Sequence, residues 1–299
     1  MRGYEGVPAA VLGASGFIGS WVARKLTERG ACVYRIGRED VANLESAFRR
    51  FRPSITFNLA GYGVDPSERD EATAYRVNAE LPRVLAQAVA AWKDPAWPGQ
   101  HLVHAGSAAE YGDAGGDLRE DGPARPATLY ARSKERGTQA VAERCRALGL
   151  RGVTARLFTV YGPGERAGRL LPALLETSRS RQPLNLSAGL QQRDFTYVED
   201  VAEGLLKVGL AAKEGGPIVN LATGRLTPVR TFVEIAAGIL GIPPEKLNFG
   251  AIPSGAHEME QEGVALDRLQ ELVGWIPPTS IAEGVRKTVE MKLLIRAEL

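Results

Sequence analysis

The sequence is poor in the residues and patterns that mark several large classes of protein. It has two cysteines, Cys32 and Cys145, in a predicted strand and a predicted helix, so a disulfide framework is not expected. Its three histidines have no metal-ligand spacing, and no metal site is expected. No apolar run approaches the roughly 18 residues of a membrane span, and the N-terminus has no signal-peptide pattern. These absences indicate a soluble protein, which we expect in the cytoplasm.

An excess of charge of one sign is also missing. Lys and Arg number 37 against 35 Asp and Glu, a net charge of +2, and the basic residues are dispersed rather than clustered. A surface for nucleic acid or for a membrane is therefore not indicated. The 44% hydrophobic and 24% charged residues are ordinary for a globular protein, and 299 residues suffice for one large domain or about two.

A glycine-rich corner near the N-terminus is the clearest feature that is present. The apolar run Ala9–Leu12 predicts a buried strand, and apolar residues recur at helical spacing from Ile18 onwards. Three glycines spaced G-x-x-G-x-x-G occupy the turn between strand and helix. Gly13 permits a tight turn, Gly16 lets a pyrophosphate approach the backbone, and Gly19 lets the helix pack close to the strand.

Such a corner has a defined chemistry. The N-terminus of a helix presents free N–H groups and about half a positive charge, which suits a phosphate group. An ordinary strand-helix turn is the alternative, since a glycine triplet alone is a weak signal. Its place after a strand, before a helix and at the start of the chain predicts a dinucleotide site. The spacing resembles that of the short-chain dehydrogenase/reductase superfamily.

The end of the second predicted strand, Ala31–Ile36, bears on the choice of cofactor. Many NAD-binding relatives carry an acidic residue there, which binds the ribose 2′-hydroxyl. Here the position is Gly37, followed by Arg38. An arginine suits a 2′-phosphate, and the missing carboxylate removes a repulsion against it. NADP(H) is therefore favoured and NAD(H) stays possible; the alternative is that Arg38 is a solvated turn residue.

A serine, a tyrosine and a lysine form the candidate catalytic group. Ser107 ends the fourth predicted strand, at the edge where open α/β sheets place their chemistry. Tyr130 follows 23 residues later and opens a helix, and Lys134 is four residues further on, on the same helix face. A solvated pair on a helix is the alternative for the last two. The order and spacing resemble the Ser–Tyr–Lys triad of the short-chain dehydrogenases.

The chemistry of this group sets a requirement on pKa. The ordinary pKa of tyrosine is near 10, so work near pH 7 needs a shift of roughly three units, or about 4 kcal/mol. One positive charge at about 4 Å and an effective dielectric constant of about 20 supplies that much. We therefore expect Lys134 to lower the pKa of Tyr130 and to hold the nicotinamide ribose. Tyr130 would exchange a proton with a substrate alcohol or ketone, and Ser107 would hydrogen-bond the same oxygen.

Longer stretches resemble one branch of this superfamily. The stretches Ser107–Gly112, Arg156–Pro163 and Leu190–Val201 resemble the extended short-chain dehydrogenases, the NAD-dependent epimerase/dehydratase family. The resemblance covers nearly the whole chain, down to Leu272–Pro277 and Ile281–Gly284. It implies a Rossmann-type, doubly wound parallel sheet of the α/β class, with a smaller, discontinuous C-terminal substrate-binding domain. Most such relatives act on nucleotide-diphospho-sugars, and a nucleotide sugar is the expected small-molecule partner.

The resemblance also implies boundaries and an oligomeric state. The NAD(P)-binding domain is expected over residues 1–160 and 194–222, and the substrate-binding region over 161–193 and 223–299. A homodimer is expected through the helices around Ala72–Ala91 and Leu129–Leu148.

The same resemblance assigns binding residues. Asp40–Val41 matches the pair that borders the adenine ring, and Ala60–Tyr62 the loop beside the nicotinamide ribose and pyrophosphate. Asn78 coincides with a recurrent asparagine, for which packing and function both stay open. Arg193 is expected at the substrate diphosphate, with a surface pair to Asp194 or Glu199 as the alternative. The residues expected at the cofactor are Gly13, Ser15, Gly16, Phe17, Ile18, Gly19, Arg38, Asp40, Val41, Leu59, Ala60, Gly61, Asn78, Tyr130 and Lys134. The residues expected at the substrate are Ser107, Ala108, Thr159 and Arg193.

The chain departs from the family pattern at several positions. The dehydratases carry an Asp-Glu pair directly after the strand hydroxyl, as acid and base for the removal of water. Here the positions are Ala108 and Ala109, and the nearby Glu110 is out of register, so 4,6-dehydratase activity is not expected. Thr159 replaces a frequent diphosphate-contacting asparagine, and the stretch Ser254–Gln261 lacks a common arginine.

These residues favour one reaction among several. An epimerase keeps its cofactor, whereas a ketoreductase consumes one hydride per turnover, usually from NADPH. Because Gly37–Arg38 favours NADPH, we expect an NADPH-dependent reductase of a nucleotide-diphospho-4-keto-6-deoxy sugar. The alternatives are an NAD-dependent nucleotide-sugar 4-epimerase and a reductase of non-sugar ketones. A non-catalytic NADP-binding regulatory protein is a fourth reading, which the presence of both Tyr130 and Lys134 disfavours.

Overall fold

Strands and helices alternate along most of the chain. The structure, a computed structural model, describes residues 3–65, 67–253 and 262–297. The stretch Ser254–Gln261, noted above for its missing arginine, lies outside the described residues. The strands are β1 Pro8–Leu12, β2 Cys32–Ile36, β3 Ile55–Asn58, β4 Leu102–Ser107, β5 Asp117–Leu118, β6 Gly152–Leu157, β7 Thr159–Tyr161, β8 Leu184–Leu186, β9 Gln192–Tyr197, β10 Ile218–Leu221, β11 Leu226–Pro228, β12 Leu247–Phe249 and β13 Gly263–Val264. The helices are α1 Phe17–Glu28, α2 Arg38–Ala42, α3 Leu44–Phe51, α4 Glu71–Tyr75, α5 Leu81–Trp92, α6 Leu129–Leu148, α7 Leu170–Thr177, α8 Val198–Leu210, α9 Val229–Leu240, α10 Asp267–Val273 and α11 Ile281–Ala297.

A parallel sheet of six strands forms the centre of the fold. Its strand order is β2-β1-β3-β4-β6-β10, and every neighbouring pair is parallel. Strand β1, second from the β2 edge, is apolar throughout because both faces of the sheet are covered. Ala9 and Val11 face one core with α1 and α8, and Ala10 and Leu12 face the other with α3, α5 and α6. This is the doubly wound α/β fold that the sequence predicts.

The position of β1 determines where a ligand can bind. The neighbours of β1 are β2 on one side and β3 on the other, so the strands that follow β1 are added to the sheet in opposite directions. In open α/β sheets such a switch point leaves a crevice at the carboxyl ends of the strands. Gly13 follows β1 directly and lies at this crevice.

A second group of elements gathers around an aromatic core. Strands β11, β9 and β7 form a small sheet, and α7, α9 and α11 pack with it. The rings of Phe195 and Phe232 stack at 4.2 Å between centroids, and Tyr161 meets both edge-on. The division at residues 160/161, 193/194 and 222/223 stays a prediction.

The described part of the chain has neither a membrane-spanning helix nor a metal-binding cluster. Within residues 3–65, 67–253 and 262–297, no helix has the length and apolar character needed to cross a membrane. In the same part of the chain, no three His, Cys, Asp or Glu side chains are grouped so as to hold a metal ion. Cys32 and Cys145 are both free thiols.

Candidate active site

The glycine corner is a tight turn with an open helix N-terminus. Gly13 has φ +74°, which an L side chain rarely adopts. A Cβ on Gly19 would lie 2.0 Å from the Gly13 carbonyl oxygen, so strand and helix touch there. The N-cap of α1 is Gly16, which has no side chain to bond the first N–H groups. Ser15 and Gly16 are exposed, whereas Phe17 is partly buried. The corner therefore presents backbone donors towards the crevice.

The loop after β3 forms the opposite side of this crevice. A Cβ on Gly13 would lie 2.7 Å from the carbonyl carbon of Leu59, so the two loops are in direct contact. The Leu59 N–H donates to the Leu12 carbonyl at 3.1 Å, and the Ala60 N–H donates to Asn58 Oδ1 at 3.3 Å. Gly61 is exposed. The structure thus brings together the residues predicted for the pyrophosphate.

Asn78 lies in a π-helical turn, Arg76–Glu80, between α4 and α5. The helical stretch predicted over Ala72–Ala91 is confirmed, but its period does not indicate this π turn. The Asn78 amide donates to the Tyr62 carbonyl at 2.7 Å and to Ser133 Oγ at 2.9 Å, and its Oδ1 accepts from the Tyr62 N–H at 3.0 Å. Asn78 is fully buried. It therefore ties the loop after β3 to α6, so packing alone does not account for its polar side chain.

The residues expected around the adenosine follow β2, the strand next to β1. Arg38 is the first residue of α2 and is exposed. The Asp40 carboxylate accepts the Gly37 N–H at 3.0 Å, which closes the first turn of α2. Val41 packs against the core that contains Leu44. Asp40 and Val41 thus have structural contacts of their own beside their expected role.

The N-terminus of α6 carries the tyrosine and the lysine. Thr128 caps the helix by accepting the Ala131 N–H at 3.1 Å, which sets Tyr130 in the first turn. The Tyr130 phenol is hydrogen-bonded to the Ser107 side chain at the end of β4. One turn further on, Lys134 is buried, and its ammonium donates to the Ala105 carbonyl at 2.5 Å. The sequence-predicted group is therefore assembled at the end of β4.

The proton affinities in this group differ from expectation. Burial raises the pKa of Tyr130, while its hydrogen bond to Ser107 lowers that pKa and the nearby Glu110 carboxylate raises it. Burial lowers the pKa of Lys134 to about 8, and Glu110 opposes this effect. The expectation that Lys134 lowers the pKa of Tyr130 is wrong in this structure. The physical reason is that desolvation dominates, and the Lys134 ammonium is directed at a strand carbonyl.

A cavity beside Ser107 brings together the residues predicted for the substrate. It has a volume of about 230 Å³, and Ser107, Ala108, Thr159 and Arg193 all line it. Thr159 begins β7, and Arg193 lies on β9, which pairs with β7. The strand pairing explains how residues distant in the sequence reach one cavity.

The neighbours of Arg193 bear on the alternative that it forms a surface pair with Asp194 or Glu199. Its Nη1 donates to the Gln192 carbonyl at 2.7 Å. The Asp194 carboxylate accepts N–H groups from Thr223 and Arg225, and the Glu199 carboxylate accepts from a lysine of α1. Both proposed surface partners thus have bonds elsewhere, and Arg193 lines the cavity.

Two charged residues at the site were not assigned from the sequence. Arg169, the N-cap of α7, lies close enough to lower the pKa of Tyr130. It also pairs with Glu165 at 3.6 Å, and burial raises the pKa of Glu165 to about 7. Glu110, considered above only as a dehydratase base, is fully buried against Arg156. No helical pattern in the sequence indicates the Glu165–Arg169 pair, because both residues precede the first helical residue of α7.

The parallel sheet, the glycine corner at its switch point and the assembled serine, tyrosine and lysine together define an extended short-chain dehydrogenase/reductase. The model of the NAD dependent epimerase/dehydratase family matches residues 9–222, and the chain belongs to that family. Its members are NAD(P)-dependent oxidoreductases and epimerases of nucleotide sugars, and this chain is an NAD(P)-dependent enzyme.

Individual relatives agree with this placement. The chain is 30% identical to the dTDP-6-deoxy-L-talose 4-dehydrogenase (NAD(P)(+)) of Kitasatospora kifunensis, over 93% of each chain. It is 33% identical to the dTDP-4-dehydrorhamnose reductase of Streptomyces griseus, over 69% of this chain and 66% of that one. Among solved structures, MoeE5 in complex with UDP-glucose and NAD superposes with a TM-score of 0.84 at 25% identity, covering 96% of this chain and 99% of that one.

Proposed function

We propose that this protein is an NADPH-dependent reductase of a nucleotide-diphospho-4-keto-6-deoxy sugar. One observation carries the proposal: the hydrogen-bonded Ser107–Tyr130 pair borders a cavity in which the dehydratase acid and base are replaced by Ala108 and Ala109. Such a site can move a proton at a carbonyl oxygen but lacks the carboxylates for removing water. The similarity to a 6-deoxy-talose 4-dehydrogenase over nearly the whole length supports this reaction.

The cofactor fits the crevice on steric and polar grounds. The turn at Gly13 and the contact at Gly19 leave no room for side chains, and the α1 N-terminus keeps its N–H donors for a pyrophosphate. When bound, the nicotinamide supplies a hydride. Lys134, at the same end of the sheet, would hold the nicotinamide ribose, and Arg38 would pair with a 2′-phosphate.

The protein's own residues handle the oxygen of the substrate. As the ketone is reduced, its oxygen gains negative charge, and Tyr130 donates the phenolic proton to it. Ser107 donates a hydrogen bond to the same oxygen and orients it towards Tyr130. The raised pKa keeps Tyr130 protonated at neutral pH, which suits an acid in the reductive direction. An epimerase would first need the phenolate as a base.

The cavity favours one sugar ring as its occupant. Its volume of about 230 Å³ is below the roughly 300–1,000 Å³ of pockets that enclose a whole ligand, so a nucleotide would extend beyond it. Arg193, which lines the cavity, would pair with a diphosphate leaving it. A homodimer through α5 and α6 is part of the proposal, and exposed Val84 and Leu148 lie on these helices.

The state of the cofactor tests the reaction. We expect the purified protein to release no stoichiometric NAD on denaturation, to bind NADPH in preference to NADH, and to oxidise NADPH with a dTDP- or UDP-linked 4-keto-6-deoxyhexose. Analysis of the released nucleotide, titration of the emptied protein and an absorbance assay measure these. Stoichiometric, tightly held NAD would instead indicate the 4-epimerase. Normal binding without turnover on any keto sugar would indicate a non-catalytic protein.

Arg38 provides a test of cofactor choice. We expect Arg38→Ala to raise the Kd for NADPH by roughly 10- to 100-fold, because a hydrogen bond to a charged group contributes about 1.5–3 kcal/mol. The Kd for NADH should stay within about twofold, since NADH has no 2′-phosphate. Fluorescence titration with both cofactors measures this, with Arg49→Ala, another exposed arginine in α3, as the matched control. Equal losses for both cofactors would remove Arg38 from the 2′-phosphate site.

A further inference from the structure

A buried carboxylate lies directly behind the catalytic serine. Glu110 Oε1 accepts the Ser107 backbone N–H at 2.7 Å, and Glu110 Oε2 accepts Arg156 Nε at 2.9 Å. The side chains of Glu110 and Arg156 are 0% and 4% exposed, so water does not share these bonds. The mechanism above uses neither residue.

The residues around Glu110 and Arg156 leave space for this ion pair and hold it in place. A Cβ on Gly106 would lie 2.8 Å from Glu110 Oε1, so a larger residue there would displace the carboxylate. The Arg156 guanidinium stacks over the Tyr111 ring at 4.4 Å, and the Tyr111 hydroxyl donates to Asn220 Oδ1 at 2.7 Å. The pair is thus held from β4, β6 and β10 together.

Stability is a weak explanation for such an arrangement. Desolvating two charges costs several kcal/mol per ion, and well-packed apolar residues often stabilise a fold as well or better. A requirement for one fixed geometry is the better-attested use of buried polar groups. The group whose geometry is fixed here is Ser107, through its backbone N–H.

We propose that Glu110, oriented by Arg156, is the positioning residue that fixes Ser107 and directs its hydroxyl at Tyr130. The Ser107 oxygen also accepts the Ala109 N–H at 3.2 Å, so the serine is held at both its backbone and its side chain. Because the Ala109 N–H is the donor in that bond, the Ser107 hydroxyl can still donate its own proton in a hydrogen bond to Tyr130 or to a substrate oxygen. The role in catalysis rests on the function proposed above.

The charge of Glu110 also reaches the proton-transferring groups. Three residues face Tyr130: Ser107 at the end of β4, Glu110 in the turn after β4, and Arg169 at the start of α7. Burial raises the pKa of Tyr130, and the charge of Glu110 raises it further. Lys134 faces Glu110 and the buried His104, and Glu110 opposes the lowering of the pKa of Lys134 by burial. Without the Glu110 charge, both pKa values would be lower.

The sign of the resulting pH effect follows from the direction of the reaction. In reduction Tyr130 must be protonated, so the rate falls as the pH rises through the pKa of Tyr130. Removing the Glu110 charge lowers that pKa, so the alkaline limb of the rate profile moves to lower pH. The rate separates the two roles, because a residue that acted only on stability would leave kcat of the folded protein unchanged.

Glu110→Gln tests the proposal because one amide oxygen replaces the two carboxylate oxygens that accept the Ser107 N–H and Arg156 Nε, and because the charge is removed. We expect kcat to fall by roughly 10- to 100-fold, which is the cost of a small misplacement at a reacting centre, with KM and the Kd for NADPH within about twofold. The alkaline limb should move to lower pH. Asp200→Asn is the matched control: this buried carboxylate likewise accepts a backbone N–H, from Thr279 at 2.9 Å, and should leave kcat and the pH profile unchanged.

Two further measurements keep the proposal testable. If Glu110→Gln does not fold, Glu110→Gln/Arg156→Gln removes both charges together and avoids an unpaired buried arginine; the same changes are expected. Nuclear magnetic resonance of ring-labelled tyrosine, with the Tyr130 signal assigned by its loss in Tyr130→Phe, measures the titration without turnover. A lower Tyr130 pKa in the variant supports the proposal even if the wild type reduces no keto sugar. The absence of keto-sugar reduction by the wild type would contradict only the proposed function. An unchanged titration, or unchanged kcat and pH profile, would overturn the role of Glu110.

Discussion

Tyr130→Phe is expected to lower kcat by roughly 100- to 10,000-fold, the range that positioned acid–base groups contribute. The substitution removes the hydroxyl that bonds Ser107 and leaves the ring in place. Because the proposed cofactor site centres on the glycine corner, we expect the Kd for NADPH to change little. Steady-state oxidation of NADPH and a fluorescence titration, on the same preparation, measure the two quantities.

A second tyrosine supplies the control for this prediction. The Tyr4 hydroxyl donates to the Leu206 carbonyl at 2.7 Å in the core, away from Ser107. Tyr4→Phe removes the same atom and should cost about 1 kcal/mol of unfolding free energy with kcat unchanged. If Tyr130→Phe retained the wild-type rate, another group would be the acid, and the assignment of Tyr130 would be wrong.

Gly19→Ala should strongly destabilise the fold itself. The new Cβ would lie 2.0 Å from the Gly13 carbonyl oxygen. The backbone at Gly13 and the backbone at Gly19 cannot move apart without separating α1 from β1. We expect a loss of at least about 3 kcal/mol of unfolding free energy, at the upper end for overpacking, together with loss of cofactor binding. Urea unfolding, followed by circular dichroism, measures the first.

Gly238→Ala is the matched control for that substitution. Gly238 lies inside α9, and among the described residues no atom is within 4 Å of its added Cβ. Alanine is the better helix former by about 0.5–1 kcal/mol, so this variant should unfold at a higher urea concentration than the wild type. Equal stability of Gly19→Ala and wild type would show that α1 and β1 are not in close contact.

The parts of the site that the sequence predicts are those encoded locally. The β1–turn–α1 unit follows from an apolar run, a glycine spacing and a helical period within about 20 residues. Tyr130 and Lys134 share a helix face through i,i+4 spacing. These arrangements need no knowledge of the rest of the fold.

The parts that the sequence does not predict depend on contacts between distant elements. The pKa of Tyr130 is set by burial and by charges at Glu110 and Arg169, which no local pattern places near the phenol. Glu110 and Arg156 are 46 residues apart and meet because β4 and β6 are neighbours. The π turn at Asn78 likewise depends on bonds to a loop and to another helix. A helical period in the sequence cannot show it.

The five-residue π turn Arg76–Glu80 makes the length of this segment a constraint separate from its side chains. A π turn closes its hydrogen bonds over five residues where an α-helix uses four, so it takes up one extra residue within the turn. Deleting one residue from Arg76–Glu80 would let this segment become ordinary α-helix, with Leu85 and Val89 still facing the core. The change would instead shift Asn78, so it would act on the loop after β3 and on the bond to Ser133 rather than on the packing of α5.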